Sequence, residues 1–354
     1  MLPVTHRGAG PSRLRVISRF AIVGTATLVL AAGCKKESKN PVDYLPQVSG
    51  GYLAINAEKM ESSPSLQRFS DIIEKQSGQT FAETGMQNLQ KAYIAFDVPD
   101  VSQGQPTADS MKYYGALIGS TGFSNDVVEV AKSSGATESK VADRDVYTSG
   151  TDVMSPVAAH AVIISNNTGN LERMIGVSEK KETGARASAQ FGEVDLQVAD
   201  HAIAFAMDAK PLVAQIKPAL EQNPMAAAHK PAVDALDDVT MLSFTLDWDT
   251  HPVMEILLHI ADKDKANTLS GTLNGFLTMG KAFAAQDPQI AQIVNPLQAE
   301  TNAAGVVMKI EVPAEIANKL FDQLESGSLP AGLPGQGAQP GFGAPPAFPQ
   351  TGAF

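Results

Sequence analysis

The sequence predicts an α+β fold of two repeated units, each an antiparallel or mixed sheet covered by helices on one face. Short apolar runs bounded by glycine and turn residues are typical of strands, and the segments between them place apolar residues at helical spacing. The order strand, helix, strand, strand, helix, strand, helix occurs twice along the chain. Elements in this order pack as helices against a sheet. We assign the first unit to residues 45–198 and the second to residues 199–324.

The first unit begins with the apolar run GYLAIN, which is flanked by glycine and is predicted to be a strand. A helix is predicted after it, because Ser62-Ser63-Pro64 resembles a helix start and an apolar stripe follows. Ser124 is predicted to cap the next helix through its hydroxyl group. The other strands of this unit are predicted at 91–98, 113–120 and 159–165, with a short helix at 170–175.

The second unit repeats this order, beginning with the run HAIAFAMD. Asp264 is predicted to cap a long helix, and Pro313 is predicted to open the last one. The remaining strands are predicted at 239–248, 253–260 and 305–312. Apolar and small residues alternate incompletely along these strands, so the order of the strands in the sheet is left open.

The N-terminal segment has the pattern of an export signal. An uncharged run of 14 residues from Phe20 to Gly33 follows four arginines: Arg7, Arg13, Arg15 and Arg19. A basic region, a short apolar core and small residues are typical of an export signal, whereas a transmembrane helix needs about 20 apolar residues. An ordinary cleaved signal peptide and a buried structural helix are the alternatives for this segment.

The only cysteine of the chain, Cys34, directly follows the uncharged run. The segment Leu30-Ala31-Ala32-Gly33-Cys34 resembles the lipobox of bacterial lipoproteins, with Ala31 where the family more often has Leu. The resemblance implies that residues 1–33 are removed as a lipoprotein signal peptide. It also implies that the Cys34 thiol is acylated, by fatty acids such as palmitate, so that membrane lipid is the partner that holds the protein in the cell envelope. Lys35 in place of Asp resembles the outer-membrane sorting pattern, which implies a periplasm-facing outer-membrane location in a Gram-negative host.

The two ends of the mature chain differ in composition from the body. Residues 34–44 are polar and are predicted to be a tether, and residues 325–354 are predicted to be a disordered tail. The tail contains seven Gly and six Pro, and its single charge is Glu325. Such a composition cannot bury enough apolar surface to offset chain entropy. Three phenylalanines spaced by six are either anchors for a partner or incidental: Phe342, Phe348 and Phe354.

The charge of the chain excludes one class of partner. Acidic residues outnumber basic ones, 38 to 27. Loss of the predicted signal peptide removes four arginines and no acid, which leaves a formal charge of −15. Nucleic-acid binding depends on Lys and Arg that neutralise phosphates, so this charge argues against a nucleic-acid partner. With Cys34 acylated, no thiol remains for a disulfide, and stability depends on the burial of apolar side chains.

The segment from Gly275 to Ala282 matches a nucleotide-binding P-loop as far as Lys281. Ala282 stands where a Mg²⁺-binding Ser or Thr is required, and the segment lies in a predicted amphipathic helix. The sequence therefore predicts a core helix at this place. No motif in the chain implies a cofactor.

Asp247, Asp249 and His251 alternate along one predicted strand edge. Carboxylate and imidazole groups that point to one side of a strand are candidate ligands for a divalent metal. A hairpin turn is the alternative, since Asp and Pro favour turns. His160 and His201 each begin a predicted strand and are interpreted as strand-end histidines without a catalytic role.

These observations predict a lipid-anchored cell-envelope protein with a binding or structural role and no identifiable catalytic site. Its layout resembles duplicated envelope lipoproteins of uncharacterised function, and an envelope protein is left open as its partner. Two alternatives remain: an envelope enzyme whose carboxylate and histidine site follows no motif, and a carrier of an apolar ligand. The carrier needs a large cavity between sheet and helices, and the enzyme needs Asp247, Asp249 and His251 to converge in a pocket.

The lipobox hypothesis predicts that Cys34→Ser removes the acylated atom. We expect this variant to fail to mature and to take up no label from a radioactive fatty acid. A matched control, Cys34→Ser with Ser38→Cys, keeps one thiol but moves it four positions along the chain, and it should also stay unlabelled. Labelling and membrane retention equal to those of the unmodified chain would contradict the hypothesis.

Overall fold

A computed structural model describes residues 40–65, 67–68, 71–72, 88–97, 112–222, 229–286 and 288–325 of the chain. The predicted signal peptide, the predicted lipidation site Cys34 and the tail from residue 326 onward lie outside the described residues. Part of the apolar helical stripe predicted after Pro64 also lies outside the described residues.

The described chain contains both strands and helices. The strands are β1 (Gly51–Asn56), β2 (Leu89–Phe96), β3 (Tyr113–Gly119), β4 (Thr137–Val141), β5 (Arg144–Ser149), β6 (Asp152–Ala158), β7 (Ala161–Ser165), β8 (Ile203–Asp208), β9 (Met241–Trp248), β10 (Pro252–His259), β11 (Ala299–Thr301) and β12 (Gly305–Glu311). The helices are α1 (Ala57–Glu61), α2 (Phe123–Ser133), α3 (Thr168–Ser178), α4 (Ala189–Gln197), α5 (Ala209–Glu221), α6 (Lys230–Ala235), α7 (Lys263–Ala284), α8 (Pro288–Val294) and α9 (Ala314–Glu325).

Two helices begin close to, but not at, their predicted caps. The N-cap of α2 is Gly122, and the Ser124 hydroxyl instead donates a hydrogen bond to the Ala159 carbonyl at 3.2 Å. The N-cap of α7 is Asp262, whose carboxylate accepts the backbone N–H of Asp264 at 2.9 Å. Both starts lie within two residues of the prediction, which is the usual spread of helix boundaries.

The described strands form one antiparallel sheet in the order β11-β12-β10-β9-β8-β1-β2-β3-β7-β6-β5-β4. Hydrogen-bonded neighbours are antiparallel throughout. The predicted α+β class is therefore confirmed.

The first strands of the two predicted units pair with each other at the centre of the sheet. Ala54 of β1 lies opposite Ala204 of β8. From this pair, β2, β3 and β7 follow on one side, and β9, β10 and β12 follow on the other. The structure thus has one continuous sheet where the sequence predicts one sheet per unit, because pairing β1 with β8 leaves neither strand as an edge. The duplication itself, with residues 45–198 and 199–324 as two copies of one unit, stays a prediction.

Three strands of the first unit, β4, β5 and β6, are absent from the sequence prediction. The outermost strand, β4, exposes its first four residues, Thr137 to Lys140. A strand that buries only its last residue, Val141, lacks the alternation by which strands are found in a sequence. Charged Glu138 and Lys140 on this edge also disfavour pairing with another chain.

Helices cover the sheet on both faces, whereas the sequence predicts one covered face. The first face packs against α3, α4 and a 3-10 helix at Pro41–Tyr44, in a core that includes Tyr52 and Phe191. The second face packs against α2 at one side of the sheet and against α6 and α7 at the other. The first unit therefore carries helices on both of its faces.

The body begins earlier in the sequence than predicted. Residues 41–44, which the sequence assigns to the tether, form a 3-10 helix, and the side chains of Tyr44 and Leu45 are 2% and 0% exposed. The Asn40 side chain caps this helix by accepting the Val42 N–H at 3.2 Å. The apolar residues between Pro41 and Pro46 are enough to bury this short segment. The part of the chain that is left as the predicted tether is therefore residues 34–39.

Gly305, at the start of β12, is a position where the backbone requires glycine. Its φ is +149°, and a Cβ there would overlap the Leu258 carbonyl oxygen and lie 2.8 Å from the Ile260 nitrogen. We expect Gly305→Ala to lower the free energy of unfolding by about 3 kcal/mol, through backbone strain and displacement of β10. The measurement is urea unfolding.

Gly271→Ala is the matched control for this substitution. Gly271 lies in α7, and a Cβ added there would meet no atom within 4 Å outside the helix's own backbone. Removing a glycine from a helix interior should raise the free energy of unfolding by about 0.5–1 kcal/mol. Equal effects of the two substitutions would contradict the strand register at β12.

Candidate functional site

Asp247, near the end of β9, pairs with a histidine that the metal hypothesis does not include. Asp247 Oδ2 lies 2.6 Å from His201 Nδ1, and Asp247 Oδ1 accepts the Ala202 N–H at 3.0 Å. The carboxylate therefore anchors the residues that lead into β8. This contact explains His201 as a strand-end histidine with a satisfied ring nitrogen.

Asp249 and His251 lie in the turn between β9 and β10, since the register of these strands leaves residues 249–251 outside the pairing. His251 Nε2 lies 2.8 Å from Glu311 Oε1, and the Asp249 backbone carbonyl accepts the Ser63 hydroxyl at 3.3 Å. No group of three His, Cys, Asp or Glu side chains is placed to hold a metal ion in the part of the chain that the structure describes. The structure separates the predicted ligands and places the segment in a hairpin.

A serine, a histidine and a glutamate meet where α4 crosses towards β9 and β10. Ser243 Oγ lies 2.8 Å from His259 Nε2, and Glu193 Oε1 lies 3.9 Å from the same nitrogen. In a Ser-His-acid triad the acid holds the nitrogen opposite the serine, so the geometry differs from a triad. Ser243 is also only 4% exposed, which leaves no approach for a substrate.

An open depression of about 430 Å³ beside α3 is lined mainly by charged side chains. These charges are paired with one another: Arg173 Nε lies 3.0 Å from Glu182 Oε2, and Lys181 Nζ lies 2.6 Å from Glu179 Oε2. Arg173 also donates to the Gln47 carbonyl at 2.9 Å. The cluster therefore fastens the N-terminal segment to α3.

The central strands carry their small and large apolar side chains on opposite faces. Ala54, Ala204 and Ala206 are at most 1% exposed on the face that packs against α4. The larger residues that alternate with them remain partly exposed on the second face. We name six of these residues the central apolar face: Leu53 on β1, Ile94 and Phe96 on β2, Phe205 on β8, and Phe244 and Leu246 on β9. The pairing register places all six on the same side of the sheet.

Three phenylalanines form an aromatic row across the central apolar face. The Phe96 and Phe205 ring centroids are 5.9 Å apart, and those of Phe205 and Phe244 are 4.8 Å apart, with interplanar angles of 14° and 21°. Phe96 lies opposite Gly51, whose missing side chain leaves room for the rings to meet across β1. Such aromatic pairs contribute about 0.5–1.5 kcal/mol each beyond their buried area.

Among the described helices, α5 and α9 also lie on this side of the sheet, α5 in one core with α7, and α9 through Phe321, which stacks on Trp248 of β9. Two further helices flank the central strands. α2 packs over β3, β5, β6 and β7, and α7 packs over β11 and β12. Strands β2, β1, β8 and β9 lie between them, so the central apolar face forms the floor of the region between α2 and α7. Large apolar side chains that stay partly exposed in the middle of a sheet are typical of a binding surface.

A second exposed apolar surface lies on α7 and α8. We name its residues the α7–α8 stripe: Phe276, Met279, Phe283 and Ile290. The P-loop-like segment from Gly275 to Ala282 lies wholly inside α7, as predicted. However, between Gly275 and Ala284 this helix buries only Ala284, so this half of α7 is a surface helix where the sequence predicts a core helix.

Sequence reasoning missed both apolar surfaces, although each has a sequence signal. In β8 the segment Ile203-Ala204-Phe205-Ala206-Met207 alternates large and small apolar residues. Alternation in side-chain size predicts one tightly packed face and one less tightly packed face of the strand. In the same way, alternation of apolar and polar residues predicts a core face and a solvent face. The signal for the α7–α8 stripe is the near absence of charge between Ala266 and Ala299, where only Lys281 and Asp287 are charged.

Comparisons with known proteins give likenesses in structure alone. Crystal form I of TP0453 has 12% sequence identity and a TM-score of 0.47, and covers 81% of this chain and 98% of its own. Crystal form III has 13% identity and a TM-score of 0.45, and covers 81% and 100%. Crystal form IV has 11% identity and a TM-score of 0.44, and covers 80% and 96%.

No family model matches the chain, and no curated protein does. Among the described helices, none is both long and apolar enough to cross a membrane.

The half-buried His259 predicts how stability depends on pH. Burial lowers the pKa of His259 below its ordinary value, and Glu193 acts in the opposite direction. The unfolded chain therefore binds a proton at this histidine more readily than the folded chain. The contribution of His259 to the free energy of unfolding is therefore complete above its unfolded pKa of about 6.5. This contribution is lost as the pH falls towards the pKa of His259 in the folded protein.

We expect His259→Gln to reduce the loss of stability between pH 7.5 and pH 5, because glutamine keeps a polar group near Ser243 but does not titrate. Urea unfolding of both proteins at several pH values measures the difference. Curves with the same pH dependence would show that His259 is not held neutral by the fold.

Proposed function

We propose that this chain is a lipid-anchored cell-envelope protein that binds apolar molecules at the central apolar face. The lipobox-like segment ending at Cys34 supports the anchor. The partial exposure of the large side chains of the central apolar face carries the binding function.

The position of the first packed residues supports a body held close to the membrane. Only residues 35–39 separate Cys34 from Asn40, which caps the buried 3-10 helix. Six steps of extended chain reach at most about 20 Å. The acyl chains supply the holding energy, because each buried methylene contributes about 0.8 kcal/mol and two or three chains together make release slow. Lys35 favours the outer membrane facing the periplasm as the location in a Gram-negative host.

The chemistry of the central apolar face favours an acyl chain as its ligand. Its six side chains carry no polar atom, so nothing on the face distinguishes one headgroup from another. Covering on the order of 200 Å² of this surface contributes about 5 kcal/mol at 25 cal/mol per Å². A membrane within reach of the body is a ready source of such chains.

The partial exposure of the face favours the carrier function over a purely structural one. On the opposite face, the same strands are closed by α3 and α4 with full burial of Tyr52 and Ala54. A structural sheet gains most when both faces are covered in this way. The enzyme alternative has no comparable support, because Asp247, Asp249 and His251 have separate partners.

The binding function predicts that removing the aromatic row weakens binding of a fluorescent fatty acid. We expect Phe205→Ala with Phe244→Ala to raise the dissociation constant at least about tenfold, which corresponds to 1.4 kcal/mol. Leu196→Ala is the matched control, because Leu196 is 69% exposed on α4, on the other side of the sheet. Thermal unfolding checks that each variant is folded, and Phe205→Met provides a milder change if the double variant is not. Absence of binding, or equal binding by all variants, would contradict the proposal.

A further inference from the structure

The α7–α8 stripe is a continuous apolar surface on the outside of the body. Phe276, Met279 and Phe283 are 39%, 40% and 75% exposed, and their spacing of three and four residues places them on one side of α7. Ile290 of the adjoining α8 is 49% exposed. Single exposed apolar residues need no explanation, but a contiguous set on neighbouring helices indicates a surface that is covered by something.

The segment of chain that carries the stripe is almost free of charge. Lys281 and Asp287 are the only charged residues between Ala266 and Ala299, although the chain as a whole has 65 charged residues. An occupant that carries charge would lose its hydration here without gaining an ion pair. The stripe therefore suits an uncharged segment with aromatic or aliphatic side chains.

The C-terminal tail has this chemistry. Residues 326–354 contain no Asp, Glu, Lys, Arg or His. They contain three phenylalanines, one of them in the segment Pro345-Pro346-Ala347-Phe348-Pro349. Proline-rich segments of this kind adopt the extended polyproline II conformation and dock on surfaces lined by aromatic side chains. Phe276, Phe283 and the ring of His229, whose centroid is 5.4 Å from that of Phe276, supply such a surface.

The tail also starts on the correct side of the sheet. It follows Glu325, the last described residue of α9, in the chain, and Phe321 of this helix stacks on Trp248 at 5.8 Å between ring centroids. Trp248 and Leu242 are an even number of residues apart in β9, so their side chains lie on the same face of the sheet. Leu242 is paired with Leu258, which packs in the core beneath α7. Helices α9 and α7 therefore lie on the same face of the sheet.

The distances suit docking within one chain. β9 and β11 are three strands apart in the sheet, or about 15 Å. A flexible segment of 29 residues has a root-mean-square length of about 30 Å. A tail of this length reaches the stripe without strain, and its effective concentration there is on the order of millimolar.

We propose that the C-terminal tail docks on the α7–α8 stripe of its own chain, with Phe342, Phe348 and Phe354 as its anchors. Docking in an extended conformation needs no helix or strand in the tail, so it agrees with the predicted absence of regular structure. The tail then shields an apolar surface of the body, and any other occupant of the stripe has to displace it.

A cross-linking experiment in intact cells tests this proposal. Ala282→Cys places a thiol beside Phe283 on the exposed side of α7, and Ala347→Cys places one beside Phe348 while keeping all the anchors. A short bis-maleimide joins the two thiols when the tail is docked. The comparison is with the same cysteine pair in a chain with Phe342→Ala, Phe348→Ala and Phe354→Ala. Chains with only one of the new cysteines report any cross-link to Cys34.

We expect a cross-link within one chain to form at least about tenfold faster with the phenylalanines than without them, since docking raises the effective concentration of the second thiol. A second pair, Ala347→Cys with Ser139→Cys on the far edge strand β4, gives the rate for an undocked site. Equal rates with and without the phenylalanines, as expected if lipid or another protein covers the stripe, would overturn the proposal. So would a cross-linked dimer, which would place the tail on a second copy.

This result is independent of the proposed function. The cysteine pair leaves the central apolar face unchanged, and the tail substitutions leave both Cys34 and Phe205 in place. Failure of the cross-link therefore leaves fatty-acid binding and Cys34 labelling to be judged by their own measurements.

Discussion

The antiparallel pairing of β1 with β8 is the contact on which the rest of the structure depends. It joins the two predicted units into one sheet and places alanines of both strands under α4. Small side chains let a helix approach a sheet closely, so Phe191 and Val194 of α4 pack directly over Ala54, Ala204 and Ala206. Because side chains alternate in a strand, the same alanines direct the larger residues to the opposite face.

This division of small and large residues decides where the protein can bind something. The tightly packed face has no room for a ligand, since its side chains are almost completely buried. The opposite face keeps Leu53, Phe205 and Phe244 partly exposed between α2 and α7. The proposed binding surface therefore follows from the alternation in the central strands.

The fold class and most of the elements follow from the sequence because their apolar patterns are local. GYLAIN and HAIAFAMD are recognisable as strands, and the segment from Gly275 to Ala282 is recognisable as helix despite its likeness to a P-loop. The order of the strands depends on the pairing of β1 with β8. The end of β1 at Asn56 and the start of β8 at Ile203 are 147 positions apart in the chain, and no local pattern specifies such a pairing.

The parts that sequence reasoning misses have two physical causes. Strand β4 buries only Val141, so its sequence resembles that of a loop. The segment Pro41–Tyr44 is predicted as part of a polar tether, although its apolar side chains are buried. The contacts of the predicted polar site also depend on distant residues. Asp247 meets His201 and His251 meets Glu311 only because the strands that carry them are neighbours in the sheet. The identity of these partners is a property of the sheet order.

Acyl-chain binding at the central apolar face is tested most directly by photo-cross-linking from this face in living cells. A benzophenone amino acid at position 205 lies in the middle of the aromatic row, and the same group at position 196 is exposed on α4. If the central apolar face binds acyl chains, mass spectrometry finds an acyl-chain adduct at position 205 and none at position 196. An adduct at position 205 only with the protein's own chain, or equal lipid adducts at both positions, would contradict it.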